Sequence, residues 1–411
     1  MKTPASPSLL RDAAAQFGTP TYVYESAVID RQIARLQGLF SGLPVDLLYA
    51  MKANSIPAIM QRLIDAGIGI DAVSPTELLL ALHLGADPNQ ILYSANNMED
   101  AEMHLAHEHG VLLNIGELSR LARYGAAYPG ARVSIRLNPQ IGAGHHEHVI
   151  TAGAKSKFGI PVQDWDAVAR VIDTYQLRLV GLHQHIGSGV QEATTMWDAM
   201  QVLLEVARTH AELEFINFGG GFGIPYHAGE SGLDLDGLRD QLHDALLQYK
   251  ADHPSEALRF RFEPGRYFVA EAGTLLVEVN SVKQANGRTW VGTNSGFNHL
   301  IRPSMYGAHH EVYNLSNPSG SMASYYVVGN VCESGDIFAR DRAVQEIREG
   351  DILAILDTGA YGSSMASLYN LRSLPAEVLA SGDGSFTLLR PRQRPTEILD
   401  AWLRTHKPTE A

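Results

Sequence analysis

The sequence predicts a (β/α)8 barrel combined with an all-β domain, on three observations. Short β-rich segments alternate with amphipathic segments over roughly 220 residues, which is the size of eight strand–helix repeats. After residue 272 the helical spacing ends, and β-rich segments follow one another with glycine, asparagine and serine between them. The strand-like segment 19–25 precedes the first repeat, so we assign it to the β domain. The predicted domains are a barrel over 26–272 and a β domain over 1–25 and 273–411.

The individual elements follow from hydrophobic spacing. In the helix predicted from Pro75, Ser74 is a suitable N-cap and Glu77 stands three residues later, as in a capping box. A doubly wound parallel sheet shows the same alternation, and counting strands does not separate the two architectures. The predicted barrel strands are 46–51, 67–73, 91–94, 111–115, 132–137, 179–185, 215–219 and 259–263. The predicted helices are 26–40, 55–66, 75–84, 100–109, 117–127, 164–175, 192–211 and 234–250. The predicted strands of the β domain are 274–282, 288–294, 323–331, 351–359, 376–381 and 385–391.

The composition is that of a globular protein, with 45% apolar and 19% charged residues, so extensive disorder is excluded. The net charge of −13 disfavours nucleic acids and anionic membranes as partners. No apolar stretch of about 18 residues predicts a membrane span, and the first residues lack a signal-peptide pattern. The single cysteine, Cys332, can form neither an internal disulfide nor a cysteine-rich zinc site. We therefore expect a cytoplasmic enzyme.

Chemically reactive side chains stand at the carboxyl ends of the predicted strands. Lys52 follows the first strand, Asp71 ends the second, Arg136 ends the fifth, His185 ends the sixth and Glu263 ends the eighth. In a barrel these strand ends converge on one face, where active sites are built. The sequence therefore predicts that these five residues share one site.

A run of three glycines, 219–221, follows the seventh predicted strand. It fails the dinucleotide pattern because Ile224 occupies the place of the last glycine. Glycine backbone N–H groups can instead wrap an anion, and barrels often hold phosphate after strands seven and eight. A flexible turn is the alternative. A phosphate cradle, the amine of Lys52 and the carboxylate of Glu263 together suggest pyridoxal phosphate, although an isolated lysine is usually solvated.

Nine motifs carry a family resemblance that runs from about residue 21 to about residue 394. Each motif is modest by itself, but the nine in order are specific. They are YAMKANS, DAVSPTEL, KSKFGI, HIGSG, GGGFGIPY, EPGRYFVA, LIRPSMYGA, VCESGDIFARDR and GAYGSSMASLYN. The chain resembles the fold-type III pyridoxal-phosphate decarboxylases, and most closely the diaminopimelate decarboxylases.

The resemblance implies pyridoxal 5′-phosphate as the cofactor and a homodimer with two shared active sites. It implies that Lys52 binds the cofactor as a Schiff base, that His185 stacks on the pyridine ring and that Glu263 keeps the ring nitrogen protonated. It places Asp71 and Arg136 beside the cofactor, whereas the residues alone also allow a packing pair at the barrel mouth. The residues that it places at the phosphate or its surroundings are Ser188, Gly219, Gly220, Gly221, Gly265, Arg266 and Tyr361.

The activity implied by the resemblance is decarboxylation of meso-diaminopimelate to L-lysine and carbon dioxide. This substrate has an amino acid at both ends, so the end that does not react needs its own clamp. Arg302 and Arg266 suit the distal carboxylate, because a guanidinium binds a carboxylate in a fork. Glu333 suits the distal ammonium, and Tyr306 and Tyr361 complete the implied substrate site.

Other residues admit a simpler interpretation. Cys332 suits a small buried hydrophobe, whereas the resemblance gives it a catalytic role beside Glu333, both reaching in from the partner subunit. The histidine-rich stretch 145–148 fits no closed zinc pattern, so we expect a loop near the site and no metal. His183 is predicted to fill the barrel interior, and the basic run 390–395 is predicted to be a solvated strand end.

Three alternative functions remain open at this point. A related decarboxylase of a siderophore or antibiotic pathway would keep the chemistry and change the substrate. An amino-acid racemase would need a second base, and the racemase tyrosine pattern is absent from the sequence. A non-catalytic cofactor-binding homologue would have lost Lys52, Glu263 or Cys332, and all three are present.

Overall fold

A computed structural model of the chain describes residues 2–140, 156–253, 255 and 257–405. The chain divides into two compact units. The first, which we call the barrel unit, comprises Gln32–Ile224 and Ser231–Tyr267. The second, which we call the β unit, comprises Met1–Arg31, Pro225–Glu230 and Phe268–Ala411.

The strands, numbered along the chain, are β1 Thr21–Glu25, β2 Val45–Ala50, β3 Gly69–Ala72, β4 Ile91–Tyr93, β5 Leu112–Ile115, β6 Arg132–Asn138, β7 Ile160–Pro161, β8 Arg178–His183, β9 Phe215–Asn217, β10 Arg259–Phe262, β11 Gly273–Ala285, β12 Arg288–Thr293, β13 Val312–Asn314, β14 Met322–Val328, β15 Ile337–Gln345, β16 Ile352–Ile355, β17 Ala376–Ala380 and β18 Phe386–Arg390. The helices are α1 Pro7–Phe17, α2 Ser26–Leu39, α3 Pro57–Asp65, α4 Pro75–His83, α5 Asp100–Glu108, α6 Leu118–Ala127, α7 Trp165–Tyr175, α8 Ala193–Ala207, α9 Leu235–Asp252, α10 Arg266–Val269, α11 Arg302–Tyr306 and α12 Pro395–Thr405.

Eight parallel strands close into a barrel in the order β2, β3, β4, β5, β6, β8, β9 and β10, and β10 pairs with β2. The predicted (β/α)8 fold is confirmed, and each predicted barrel strand lies within two residues of an observed one. The strands read as apolar runs because both faces are covered, one by the barrel interior and the other by helices. Gly181 in β8 shows how tight this packing is, since a Cβ there would lie 2.1 Å from the ring of Phe215.

Local signals set the helix that begins after β3. The hydroxyl of Ser74 accepts the backbone N–H of Glu77 at 3.3 Å, as the predicted N-cap requires. The Glu77 carboxylate reaches back to the N–H of Val73 at 2.8 Å rather than to Ser74. The return contact of the predicted capping box is therefore displaced by one residue, which ties the end of β3 to the start of α4.

The β unit takes up the N-terminal strand, as the sequence predicts. β1 pairs antiparallel with β11 and parallel with β17, and four of its five residues are buried. The hydroxyl of Tyr22 donates to the carbonyl of His299 at 2.6 Å, and that of Tyr24 donates to Glu377 at 2.6 Å. Helices α1, α10, α11 and α12 and strands β7, β13 and β15 were not among the predicted elements. Within the described helices, no segment combines the length and the apolar character needed to span a bilayer.

Candidate active site

Lys52 lies in a single 3-10 turn, Met51–Ala53, directly after β2. Its neighbours in the turn are buried, whereas its own side chain is 40% exposed. The Nζ atom lies 3.0 Å from Oδ2 of Asp71, which is buried in the adjacent strand β3. Burial raises the pKa of Asp71 above its ordinary range, and the Lys52 ammonium opposes that shift. The pair therefore places an amine and a proton-accepting carboxylate at the end of two neighbouring strands.

Glu263 follows β10 directly and is almost fully buried. Its Oε2 lies 3.0 Å from Nε2 of His183, and its Oε1 accepts the amide Nδ2 of Asn217 at 2.8 Å. Burial acts to raise the pKa of this carboxyl, but His183 and Lys52 outweigh it and lower the pKa to about 2. Glu263 is therefore an anion at any physiological pH.

His185 stands beyond the strand that was predicted to end with it, because β8 ends at His183. Its Nδ1 accepts the backbone N–H of Gly220 at 3.1 Å, so the proton of the neutral ring resides on Nε2. Burial lowers the pKa of His185 well below its usual range, and Arg136 and Lys52 act in the same direction. The site therefore holds a neutral imidazole with a defined orientation.

The triple glycine allows close approach of three backbone segments. A Cβ at Gly219 would lie 2.3 Å from the carbonyl oxygen of Gln184, and one at Gly220 would lie 2.3 Å from that of Glu263. Two of the three N–H groups in the predicted anion cradle already donate to protein atoms. Gly219 already donates to Oδ1 of Asn217 at 2.9 Å, and Gly220 donates to the His185 ring. Because each amide has a single proton, these two glycines orient neighbouring side chains.

Two further barrel loops meet through Arg266 and Ser188. The Arg266 Nη2 donates to the Ser188 hydroxyl at 2.9 Å, which joins the loop after β8 to the segment after β10. Gly265 is needed at that junction, since a Cβ there would lie 2.9 Å from the carbonyl oxygen of Ala50. Arg136, two residues before the end of β6, lies over the ring of Phe158 at 4.9 Å, and burial lowers the pKa of its guanidinium.

The remaining predicted residues lie in the β unit. Arg302 and Tyr306 begin and end α11, and Arg302 is only 1% exposed. The Arg302 guanidinium donates to Nε2 of His310 at 2.8 Å and lies 4.8 Å from the centre of the Tyr226 ring. His310 donates from Nδ1 to the carbonyl of Leu356 at 2.8 Å, which leaves its Nε2 as an acceptor. Arg302 is thus held in one orientation.

Cys332 and Glu333 lie in the segment between β14 and β15. Cys332 is exposed, contrary to the simple interpretation as a buried hydrophobe, and its backbone N–H donates to Asn370 at 3.0 Å. Glu333 accepts the hydroxyl of Tyr369. The structure therefore leaves both the thiol and the neighbouring carboxylate at the surface of this chain.

Tyr361 has a backbone φ of +56°, an uncommon conformation for a residue with a side chain.

Sequence reasoning predicted His183 as a filler of the barrel interior without a part in the site, and it missed Asn217. They stand opposite each other in the register of β8 and β9, and both contact Glu263. A usable signal was present, because each is a polar side chain that directly follows apolar residues at the end of its strand. The predicted histidine-rich stretch 145–148 lies outside the described residues. Elsewhere, the described part of the chain contains no cluster of three or more possible metal ligands.

Comparison with known proteins identifies the family. The sequence model of the pyridoxal binding domain of pyridoxal-dependent decarboxylases matches residues 26–270. The chain belongs to the pyridoxal-dependent decarboxylases. Within this decarboxylase family it is 43% identical over 404 residues to a diaminopimelate decarboxylase of Methanothermobacter thermautotrophicus, covering 94% of this chain and 92% of the relative. It is 36% identical over 402 residues to that of Escherichia coli strain K12, covering 94% of each.

Solved structures agree with this membership of the decarboxylase family. A crystal structure of diaminopimelate decarboxylase from M. jannaschii in complex with L-lysine is 30% identical, with a TM-score of 0.86 over 97% of this chain and 94% of that one. Decarboxylases of this family use pyridoxal 5′-phosphate, and so does this chain. The predicted family, cofactor and class of enzyme, a carboxy-lyase, are confirmed.

The residues of the barrel unit fit this cofactor. Lys52 supplies a primary amine for its aldehyde, and Glu263 supplies an anion for its basic ring nitrogen. Within the described residues, Oδ1 of Asp71 is buried without a hydrogen-bond partner, which leaves an acceptor for a polar ligand atom. Glycine is required at 219–221, because a Cβ at any of the three would meet a backbone carbonyl oxygen of a neighbouring segment.

Proposed function

We propose that this chain decarboxylates meso-diaminopimelate to L-lysine and carbon dioxide, the last step of lysine biosynthesis. One observation carries the proposal furthest: Lys52, Asp71 and an ionised Glu263 stand together at the strand ends of a decarboxylase barrel. The relatives named diaminopimelate decarboxylase match nearly the full length of the chain, and the structure of the M. jannaschii relative contains L-lysine.

Each barrel residue has a proposed part in the reaction. Bound pyridoxal phosphate supplies an electron-withdrawing ring that accepts the electron pair left when the carboxylate departs. Lys52 holds the cofactor through Nζ, and Asp71 can accept or return a proton at that atom. Glu263 keeps a proton on the ring nitrogen, because an anion beside the ring favours its cationic form. His185, neutral and oriented by Gly220, stacks on the ring face.

The phosphate contacts are proposed with the same reasoning. Ser188 and Arg266 form a hydroxyl–guanidinium pair that suits a phosphate oxygen. Gly221 and Gly265 lack side chains and so allow backbone segments to lie close together beside this pair. Tyr361 is proposed as a further contact of the phosphate group.

Substrate selection is proposed to rest on Arg302 in the β unit. A fully buried guanidinium, held on one side by His310 and covered on one face by Tyr226, is oriented to bind a carboxylate in a fork. Tyr306 and Arg266 are proposed to add contacts to the same end of the substrate, and Glu333 to bind the distal ammonium. These groups distinguish a substrate with a second amino-acid end from a plain diamino acid.

Cys332 is proposed as the residue that donates a proton to the substrate carbon from which carbon dioxide has left, or that orients the substrate, reaching in with Glu333 from a partner subunit. Its exposure in the single chain is compatible with such a role. We accordingly propose a homodimer in the cytoplasm, acting on a small amino acid and binding no nucleic acid.

The direct test is the reaction itself. The purified chain, loaded with pyridoxal phosphate, is given meso-diaminopimelate, L-lysine or L-ornithine, and carbon dioxide and amine products are measured. We expect carbon dioxide and L-lysine from diaminopimelate alone. Release of carbon dioxide only from another amino acid would overturn the proposed substrate, and no release from any would overturn the proposed activity.

Arg302 is tested with two inhibitors that differ at the distal end. L-Lysine keeps the distal carboxylate and cadaverine lacks it. Charge-assisted hydrogen bonds contribute about 1.5–3 kcal/mol, so Arg302→Ala should weaken inhibition by L-lysine about 10- to 100-fold and leave cadaverine nearly unchanged. Arg348→Ala, which removes an exposed arginine of the β unit, is the control. Equal weakening of both inhibitors would count against a carboxylate clamp.

A further inference from the structure

His183 is the last residue of β8. The neighbouring strand β9 ends with Asn217, and Glu263 directly follows β10, which pairs with the other side of β9. Its side chain is 1% exposed and contacts Glu263 at 3.0 Å. An interior barrel position ordinarily holds an apolar side chain. Burying an imidazole and a carboxylate there costs free energy, so the pair is expected to have a function.

The protonation of this contact follows from the acceptor. An ionised carboxylate only accepts hydrogen bonds, so Nε2 of His183 carries the proton that bridges to Oε2. Within the described residues Nδ1 of His183 is buried without a hydrogen-bond partner. The Nε2–H bond to Glu263 is therefore the polar interaction that holds this ring.

Asn217 completes the arrangement from the other side. Its Nδ2 donates to Oε1 of Glu263, and its Oδ1 accepts the N–H of Gly219, which fixes the direction of the amide. Each carboxylate oxygen of Glu263 thus has one protein donor and keeps a lone pair for a further partner. The charged and titratable groups whose fields reach Glu263 are Lys52, Asp71, Arg136, His185 and Arg261.

We infer that His183 is a positioning residue: its Nε2–H holds Glu263 as an oriented carboxylate, so that the proton shared with the cofactor's ring nitrogen resides on the nitrogen. The inference rests on the proposed role of Glu263. A second donor on the carboxylate stabilises its charged form. Without that donor Glu263 becomes a better proton acceptor and is held on one side by Asn217, and the shared proton moves toward the carboxyl.

Three variants separate this role from simple filling of the core. His183→Leu fills similar space and removes the donor, whereas His183→Gln retains an N–H that can reach Oε2. Ser134→Ala is the matched control, because Ser134 is a buried polar residue of the same barrel that donates to Asn114 and does not contact Glu263. Each protein is loaded with pyridoxal phosphate labelled at the ring nitrogen, and the cofactor dissociation constant and the nitrogen NMR shift are measured.

We expect His183→Leu to raise the dissociation constant about tenfold and to move the nitrogen shift toward that of an unprotonated pyridine, consistent with the loss of one charge-assisted bond. His183→Gln should stay within about threefold of the wild type, and Ser134→Ala should match it. If His183→Leu does not fold, His183→Asn, whose shorter amide cannot reach Oε2, replaces it.

Four results would overturn the inference. The first is a donor-free variant that behaves like Ser134→Ala, and the second is His183→Gln as impaired as His183→Leu. The third is an unaltered ring nitrogen in both Glu263→Gln and His183→Leu, which would also remove the proposed role of Glu263. A nitrogen shift in Glu263→Gln alone would refute only the role of His183. The cofactor dissociation constant and the nitrogen NMR shift are both measured without substrate. A failure of the proposed diaminopimelate activity is therefore distinguishable from a failure of this inference.

Discussion

Replacing Glu263 by glutamine removes the negative charge at the centre of the site and keeps its shape. The wild-type carboxylate accepts one bond from Asn217 and one from His183. In Glu263→Gln the amide oxygen can still accept from Asn217. The His183 ring can move its proton from Nε2 to Nδ1 and accept the new N–H. We therefore expect the variant to fold, so that charge is the main difference.

The magnitude follows from the pKa of Glu263. The surroundings of this carboxyl lower its pKa from 4.5 to about 2. At about 1.4 kcal/mol per unit, the site prefers an anion to a neutral group by about 3 kcal/mol. If that preference is expressed in the transition state, kcat/KM for diaminopimelate falls by about two to three powers of ten.

The assay is release of carbon dioxide from diaminopimelate, with cofactor loading verified by visible absorbance. The control is Glu377→Gln, which neutralises a buried carboxylate of the β unit held by Tyr24 and Arg390. Thermal unfolding of both variants shows whether either loss of charge disturbs the fold. A loaded Glu263→Gln enzyme that keeps more than about a tenth of the wild-type kcat/KM would refute the reasoning, since one power of ten corresponds to about 1.4 kcal/mol.

Three further outcomes are expected. Lys52→Ala should lose the visible absorbance of bound cofactor together with activity, while Lys283→Ala keeps both; unchanged absorbance would contradict the covalent role of Lys52. Gly220→Ala places a Cβ 2.3 Å from the Glu263 carbonyl oxygen and should weaken cofactor binding. It should also cost about 1–3 kcal/mol of stability, as overpacking does. Gly38→Ala, whose Cβ meets nothing within 4 Å in α2, should gain about 0.5–1 kcal/mol in denaturant unfolding, and equal effects would contradict the steric argument. Burial lowers the pKa of His299 from 6.5 to about 4. Between these two pH values the imidazole binds a proton in the unfolded protein but not in the native protein. Stability should fall by about 3 kcal/mol as pH drops through this range, and His299→Gln should flatten that part of the curve; an unchanged pH dependence would contradict the assignment.

The sequence by itself determined the eight strand–helix repeats and the positions of the reactive residues, whereas the pairing of β10 with β2 that closes the barrel was shown by the structure. Lys52, Asp71 and Glu263 were assigned to strand ends from the spacing of nearby apolar residues. The structure places each of them at or next to the end of a strand. This worked because hydrophobic alternation is a local property, and closure of parallel strands then brings all their carboxyl ends to one face.

Only the tertiary structure decided which side chains form hydrogen bonds with Glu263. His183 and Asn217 are 80 and 46 residues away from it along the chain, and they meet it because β8, β9 and β10 are neighbours in the closed barrel. The same holds for the glycines, whose amides satisfy Asn217 and His185. A local pattern specifies which face a residue occupies, whereas the partner across that face depends on strand register. That register is set by the pairing of β8, β9 and β10, which are far apart along the chain.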